Sequence, residues 1–424
     1  MISPAREQAL YSLQHYRQTG KTLTGTCSRE EDTRLCERIV LGVQQNERYI
    51  DYCLSQFLKS DIRKLHPVVL DVLRLSAYQI LFLDRIPDSA VVHDAVSLCK
   101  RKNISFCSGL VNAVLRRLCA EKDHLLKMPL HAAVRYSHPD WLVSRLKKQR
   151  GMSFTEQFLM CNQEIPSIRL QINTRKCSLE KYLLLLREAD VVPTEVNRVF
   201  SSVLIPSMDV KKLPGYTDGL FYIQDDAARA SIFYAGIREG MRVLDLCAAP
   251  GGKSAAAALS GGIVISCDIN QDRLNVCIEN YLRLGMNIPV FQMDATVSNS
   301  EYFDHFDYVV TDVPCTGTGV IRKHPEIRKR TEDELNSLLY VQQQIILNAS
   351  SYVKPGGILV YSTCSVLLEE DEEQVHLFLD HNPAFLLRPV HADGFSCENG
   401  MLRSWPHLNG NDGFFAAYIQ KKQL

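Results

Sequence analysis

No apolar run in the 424-residue chain approaches the roughly 20 residues needed to span a bilayer. The opening stretch MISPAREQALYSL lacks the apolar core of a secretory signal. The 14 cysteines form no CxxC pair and no His-Cys grouping at metal-ligand spacing. These absences lead to the expectation of a cytoplasmic protein that uses neither membrane nor metal, with most cysteines reduced and buried as small hydrophobes. Internal repeats and low-complexity segments are also missing. With 46% hydrophobic and 23% charged residues, the composition is that of a globular, soluble chain, long enough for two or three domains.

Net charge is zero overall, but it is unevenly spread. Residues 1–150 carry 24 Lys+Arg against 15 Asp+Glu, a net of +9, and residues 231–424 carry 15 against 23, a net of −8. Within the first part, residues 101–150 hold 11 basic and 3 acidic residues. A basic region of this kind suggests a polyanionic partner, although solvated helix faces give the same count.

Residues 1–125 read as helices throughout. In DVLRLSAYQILFL (71–83), Val72, Leu73, Leu75, Ile80 and Leu81 fall on one face at helical period. A small α+β segment follows over residues 126–225, with strand candidates at SIRLQIN (167–173) and VFSSVLIP (199–206). The part from 226 to 424 alternates apolar strand candidates with helices: RVLDLC (242–247), GIVISCDI (262–269), PVFQMDA (289–295), DYVVTDV (307–313) and GILVYST (357–363). That rhythm predicts a parallel sheet covered on both faces, with ligands at the carboxyl ends of its strands.

The loop DLCAAPGGKS (245–254) closes the first of these strands. Its GGKS ending resembles a P-loop, but the Gly required six residues before the Lys is Cys247 here, and Asp245 would repel a triphosphate. Pro250, Gly251 and Gly252 suit a tight strand-to-helix turn whose N–H groups can receive a carboxylate. Asp268 ends the next strand, where an acid accepts hydrogen bonds from ribose hydroxyls. Asp294 and Asp312 follow at later strand ends. An acid-rimmed crevice fits a ligand with a ribose, a base and a positive centre but no phosphates, as in S-adenosylmethionine. Two cysteines follow the last two strands, in TDVPCTGTGV (311–320) and YSTCSV (361–366), so both should face that crevice.

With these residues in view, the chain resembles the RNA (cytosine-5)-methyltransferase family. DLCAAPGGK, CDIN, DVPCTGTG, YSTCS followed by LLEEDEE, and NDGFFAAYI carry the likeness from about residue 160 onward. Val313 and Thr316 stand where the family more often shows Ala and Ser. DVLRLSAYQILFL and GLVNAVLRR resemble a NusB-type RNA-binding domain, and that pairing, with GVIRKHPEIR (319–328), is similar to the family's bacterial small-subunit rRNA branch. The resemblance implies an all-α NusB-like bundle, a small α+β linker domain and a Rossmann-like class I methyltransferase. It implies that Cys247, Ala248, Ala249, Pro250, Gly251, Gly252 and Lys253 form the S-adenosylmethionine loop, with Asp268, Asp294 and Asp312 completing the cofactor site. It implies 16S ribosomal RNA as partner; the expected state is a monomer.

Carbon 5 of cytosine is a poor nucleophile until a thiolate adds to carbon 6, and cysteine both attacks and leaves well. Asp312, three residues before Cys315, is placed to hydrogen-bond the base edge. Pattern alone leaves open which cysteine attacks; the family resemblance implies that Cys364 attacks and that Cys315 assists release. Arg322, Lys323 and His324 are candidates to hold phosphates beside a base drawn out of its stack. Two other readings remain: a non-catalytic RNA-binding or antitermination factor, and an amino-methyltransferase, whose Pro-Pro-aromatic loop is absent from DVPCTG.

Overall fold

The structure is a computed structural model describing residues 2–23 and 27–423. It divides into two compact units, residues 1–163 with 324–329, and residues 164–323 with 330–424.

The first unit is helical, as the periodicity predicts. Its main helices are Pro4–Thr19, Glu30–Ser55, Pro67–Phe82, Asp88–Arg101 and Ser108–Lys127, followed by Asp140–Arg150 and Met152–Cys161. The expected apolar stripe of the Pro67–Phe82 helix is buried, but so are Asp71, Ser76 and Gln79, so this helix is enclosed on nearly all sides rather than one. Gly42 shows how closely it is gripped: a Cβ there would lie 1.9 Å from the Tyr78 ring. Arg6 crosses between helices, donating to Gln79 at 2.7 Å and to Asp94 at 2.5 Å. Segment 324–329 joins this unit through Lys329, which pairs with Glu47 at 3.2 Å and lies over the Tyr16 ring at 4.6 Å.

In the second unit, β1 (Ile168–Ile172), β2 (Glu195–Asn197), β3 (Ser202–Ile205) and β4 (Phe221–Ile223) form an antiparallel sheet in the order β2-β3-β1-β4. The helix Leu179–Glu188 contributes Tyr182 and Leu186 to the core on this sheet. β2 and β4 were not expected, because three-residue strands carry too little alternation to register as a pattern.

The larger sheet contains β5 (Arg242–Asp245), β6 (Ile263–Asp268), β7 (Val290–Gln292), β8 (Phe306–Asp312), β9 (Val353–Thr363), β10 (Phe385–Leu387), β11 (Ser396–Glu398), β12 (Met401–Ser404) and β13 (Phe414–Lys421). Its order is β11-β12-β13-β9-β8-β5-β6-β7, with β10 also on β13. The expectation of an all-parallel sheet holds only from β5 to β9. β13 runs antiparallel to β9, and β12 antiparallel to β13, so the sheet is mixed. An apolar run such as FFAAYI shows that a strand is central but carries no sign of its direction. Two apolar layers cover the sheet, one around Val243, Val310 and Tyr418 and the other around Leu244, Val309 and Phe415. Among the described residues, no helix is long and apolar enough to cross a membrane, and no group of three or more His, Cys, Asp or Glu could hold a metal ion.

Candidate active site

The register between β8 and β9 sets the site. Asp312 lies opposite Ser362 at the carboxyl ends of the two parallel strands. Three residues beyond Asp312 comes Cys315, and two beyond Ser362 comes Cys364. Their sulfurs lie 3.3 Å apart, and both residues are partly exposed. Hydrogen bonding to Cys364, then burial, then the charges of Cys364, Glu370 and Asp312 hold the Cys315 thiol well above its ordinary range. Either sulfur can donate to the other across this contact.

Asp312 is held from two sides. Lys253 Nζ lies 2.7 Å from one carboxylate oxygen, and the Ser362 hydroxyl donates to the other at 3.2 Å. Lys253 comes from the start of the helix Gly252–Leu259 and rests over the Phe414 ring at 5.1 Å. The glycine-rich loop, the acid before the Cys315 turn and the C-terminal strand thus meet at one ammonium group, a junction that sequence spacing gave no means of finding.

The loop between β5 and this helix is tightly folded. Gly251 adopts φ 103°, and a Cβ there would sit 2.8 Å from the Tyr281 ring. Asp268 accepts from the N–H of Ala249 at 3.2 Å and from that of Asn270 at 3.1 Å, so it braces the loop, and the Arg273 guanidinium lies 3.7 Å from the oxygen that takes the Ala249 N–H. Asp245, at the end of β5, accepts from the Ser254 hydroxyl through Oδ2, whereas its buried Oδ1 has no hydrogen-bond partner. Burial pushes the Asp245 carboxyl up to about 7; Ser254 and Lys253 oppose the shift and Asp312 adds to it. Carboxylates gathered at the strand ends in this way fit S-adenosylmethionine, which offers hydroxyls and a positive centre.

Other expected site residues are placed less directly. Asp294 lies two residues past β7, and its Oδ1 accepts from both the N–H and the hydroxyl of Thr296. Cys247 packs its side chain against the apolar layer around Leu244, and burial first, then three nearby aspartates, keep it protonated. Arg322 and Lys323 are drawn into ion pairs instead of facing solvent. Lys323 Nζ lies 2.6 Å from Asp412 and 3.3 Å from Asp225, and Arg322 reaches Asp412 at 3.9 Å and Glu164 at 3.7 Å. These partners stand far away in sequence, which is why a basic triplet read locally suggested phosphate contacts. His324 is exposed and lies 3.2 Å from Glu326.

Behind the cysteines lies a layer that the sequence presents only as the acidic run EEDEE. Glu370 and Asp371 are fully buried. Glu370 accepts from the N–H of Thr316 at 2.7 Å and its hydroxyl at 2.5 Å, while Gln342 donates to both Glu370 and the Pro314 carbonyl at 3.0 Å. Asp371 accepts from the Thr363 hydroxyl at 2.5 Å and from Arg403 at 2.9 Å. Arg403 also donates twice to Glu372. On the other side, Gly319 and Gly413 touch back to back: a Cβ on Gly319 would lie 2.1 Å from the Gly413 carbonyl and 2.8 Å from that of Cys364. This contact explains the glycine in the terminal NDGFF.

The profile described as "16S rRNA methyltransferase RsmB/F" matches residues 235–420. The NusB family profile matches residues 3–120, and that of a "Methyltr_RsmF/B-like, ferredoxin-like domain" matches residues 138–210. The chain is 31% identical over 402 residues to "Ribosomal RNA small subunit methyltransferase B" of Serratia proteamaculans (strain 568), covering 92% of this chain and 91% of that one. Its counterpart of the same description in Yersinia pestis bv. Antiqua (strain Angola) is also 31% identical, with 93% and 91% covered. Among solved structures, PH0851 superposes with a TM-score of 0.80 at 23% identity over 99% of both chains. NSun6 from Pyrococcus horikoshii with SFG gives 0.60 at 20% identity, covering 68% of this chain and 99% of that one, and these two likenesses speak for the fold. By its profiles and by relatives matched over nine-tenths of their length, the chain belongs to the RsmB/F family of rRNA methyltransferases, with S-adenosylmethionine as cofactor.

Proposed function

We propose that this protein methylates carbon 5 of a cytosine in 16S rRNA through a transient bond to Cys364. The observation that carries the reading is the pair of sulfurs 3.3 Å apart at the ends of adjacent strands, beside Asp312 and the cofactor loop. S-adenosylmethionine supplies an electrophilic methyl group on a sulfonium. The Cys364 thiolate adds to carbon 6 of the base, making carbon 5 nucleophilic toward that methyl. Asp312, held by Lys253 and Ser362, is assigned to accept a hydrogen bond from the exocyclic amine at the base edge. After transfer a base takes the carbon 5 proton, the electron pair of that C–H bond restores the ring double bond, and the bond from carbon 6 to Cys364 breaks with its pair returning to the sulfur. Cys315, whose sulfur lies 3.3 Å from that of Cys364, assists this release.

Asp268 is assigned to the ribose of the cofactor, and the loop from Cys247 to Lys253 to its amino-acid end, with Asp294 nearby. The helical part over residues 1–125 is assigned RNA affinity, on the net charge of +9 over residues 1–150 against −8 for residues 231–424. The reaction is assigned to the cytoplasm, where rRNA is made and assembled in bacteria. The test is incubation with labelled S-adenosylmethionine and unmodified 16S rRNA, followed by nucleoside analysis. Label in 5-methylcytosine supports the reading; label on an exocyclic amine, or none, rejects it.

A further inference from the structure

Two loops must meet with their sulfurs in register, and neither is a regular element at the point where they touch. Cys315 lies in a turn after β8, and Cys364 lies just after β9. Adjacent buried acids serve one loop each. Asp371 takes the hydroxyl of Thr363, which in turn accepts from the N–H of Ser365, so Cys364 is bracketed on both sides. Glu370 takes both the N–H and the hydroxyl of Thr316, and Gln342 ties Glu370 to the Pro314 carbonyl, so Cys315 is bracketed in the same way. The Glu370 backbone is itself fixed, since its carbonyl accepts from the buried Tyr361 hydroxyl of β9 at 2.7 Å.

We infer that Glu370 is a positioning residue that sets Cys315 against Cys364 for the release step. It touches neither sulfur and acts through the residues either side of Cys315. This rests on the proposed division of roles between the two cysteines. Three buried bonds converge on one carboxylate, which is more than loop closure alone requires. The carboxylate is fully buried, so its removal leaves these donors without a solvent partner nearby. Gln could keep the same shape: its carbonyl can accept from the Thr316 and Gln342 N–H groups, while the Thr316 hydroxyl turns to accept from its amide.

The test compares Glu370→Ala, Glu370→Gln, Thr316→Val and Cys315→Ala in the full chain. Each is assayed for S-adenosylmethionine binding, for methyl transfer in a single turnover and at steady state, and for a protein–RNA complex surviving denaturing electrophoresis. The expected Glu370→Ala protein binds cofactor as wild type and transfers methyl in the first turnover within about threefold. Its steady-state turnover falls tenfold or more and the covalent complex accumulates. Glu370→Gln should restore most of the turnover, and Thr316→Val should show the Glu370→Ala defect more weakly. If Glu370→Ala does not fold, Thr316→Val carries the test alone. Wild-type turnover without a trapped complex in Glu370→Ala, while Cys315→Ala does trap, overturns the role of Glu370 and leaves the cysteine roles standing. Loss of the first turnover as well would place Glu370 in general folding or attack, and would also overturn the inference. No trapped complex in Cys315→Ala would overturn the division of roles and the inference with it.

Discussion

Replacing Arg403 by Met removes a cation shared by two buried carboxylates. Arg403 is fully buried, donates to Asp371 at 2.9 Å and twice to Glu372, and lies 5.2 Å from the Trp405 ring and 5.1 Å from that of Phe415. Methionine fills much of the same volume, so the expected damage is electrostatic. Breaking a buried pair by removing one partner costs about 3–5 kcal/mol. Domains have only about 5–15 kcal/mol of stability in total. Burial already pushes the Asp371 carboxyl well above its ordinary range, against the pull of Arg403. Without the guanidinium it rises further still. Both proteins therefore lose stability as pH rises above the unfolded value near 4, and the deficit of Arg403→Met widens at the higher pH where wild-type Asp371 has released its proton and the mutant has not. Urea unfolding followed by fluorescence reports this directly, because Trp405 sits against the replaced side chain. At a slope of about 3 kcal/mol per molar urea, the midpoint should fall by roughly 1–2 M at pH 8 and by less at pH 5. Equal midpoints for mutant and wild type at both pH values would refute the reasoning, since the acids would then need no counter-charge.

Asp245 offers a second pH test. Its folded carboxyl titrates near 7 against 3.8 for the free group, so stability should decline across that window by up to about 4 kcal/mol. Asp245→Asn should flatten that part of the stability–pH curve, and parallel curves for the two proteins would count against the assignment. Asp268→Ala should weaken S-adenosylmethionine binding by about 1–3 kcal/mol, read by calorimetry; unchanged affinity in a folded mutant would remove Asp268 from the cofactor site. Replacing the exposed Arg116, Arg117, Lys127 and Lys148 by Ala should weaken rRNA binding and lower the slope of log affinity against log salt by about 0.7–0.9 for each phosphate no longer neutralised. An unchanged slope would move RNA recognition elsewhere.

Most of the parallel strands from β5 to β9 were legible because they carry apolar runs rich in Val, Ile and Leu bounded by turn residues, although β7 holds only Val290, Phe291 and Gln292. The site's main chemistry was legible for the same reason: strand ends lie at one edge, so acids and cysteines that follow strands must gather there. The antiparallel strands after β9 were not, because direction is set by pairing with a distant partner. Long-range charge pairing was equally hidden. Lys253 read as part of a loop, yet it reaches Asp312. Arg322 and Lys323 read as phosphate ligands, yet Asp412 and Asp225 hold them. The acids of LLEEDEE read as a family signature with no stated task. Their burial is intelligible only once Arg403, Thr316 and Thr363 are seen to satisfy them.

Covalent trapping decides whether Cys364 attacks and Cys315 assists release. Cys364→Ala and Cys315→Ala are each incubated with 16S rRNA and S-adenosylmethionine, then run on a denaturing gel. No methyl transfer and no adduct are expected for Cys364→Ala, because carbon 5 is never activated. A methylated, denaturation-resistant protein–RNA complex is expected for Cys315→Ala. A trapped complex in Cys364→Ala with none in Cys315→Ala would reverse the roles of the two sulfurs.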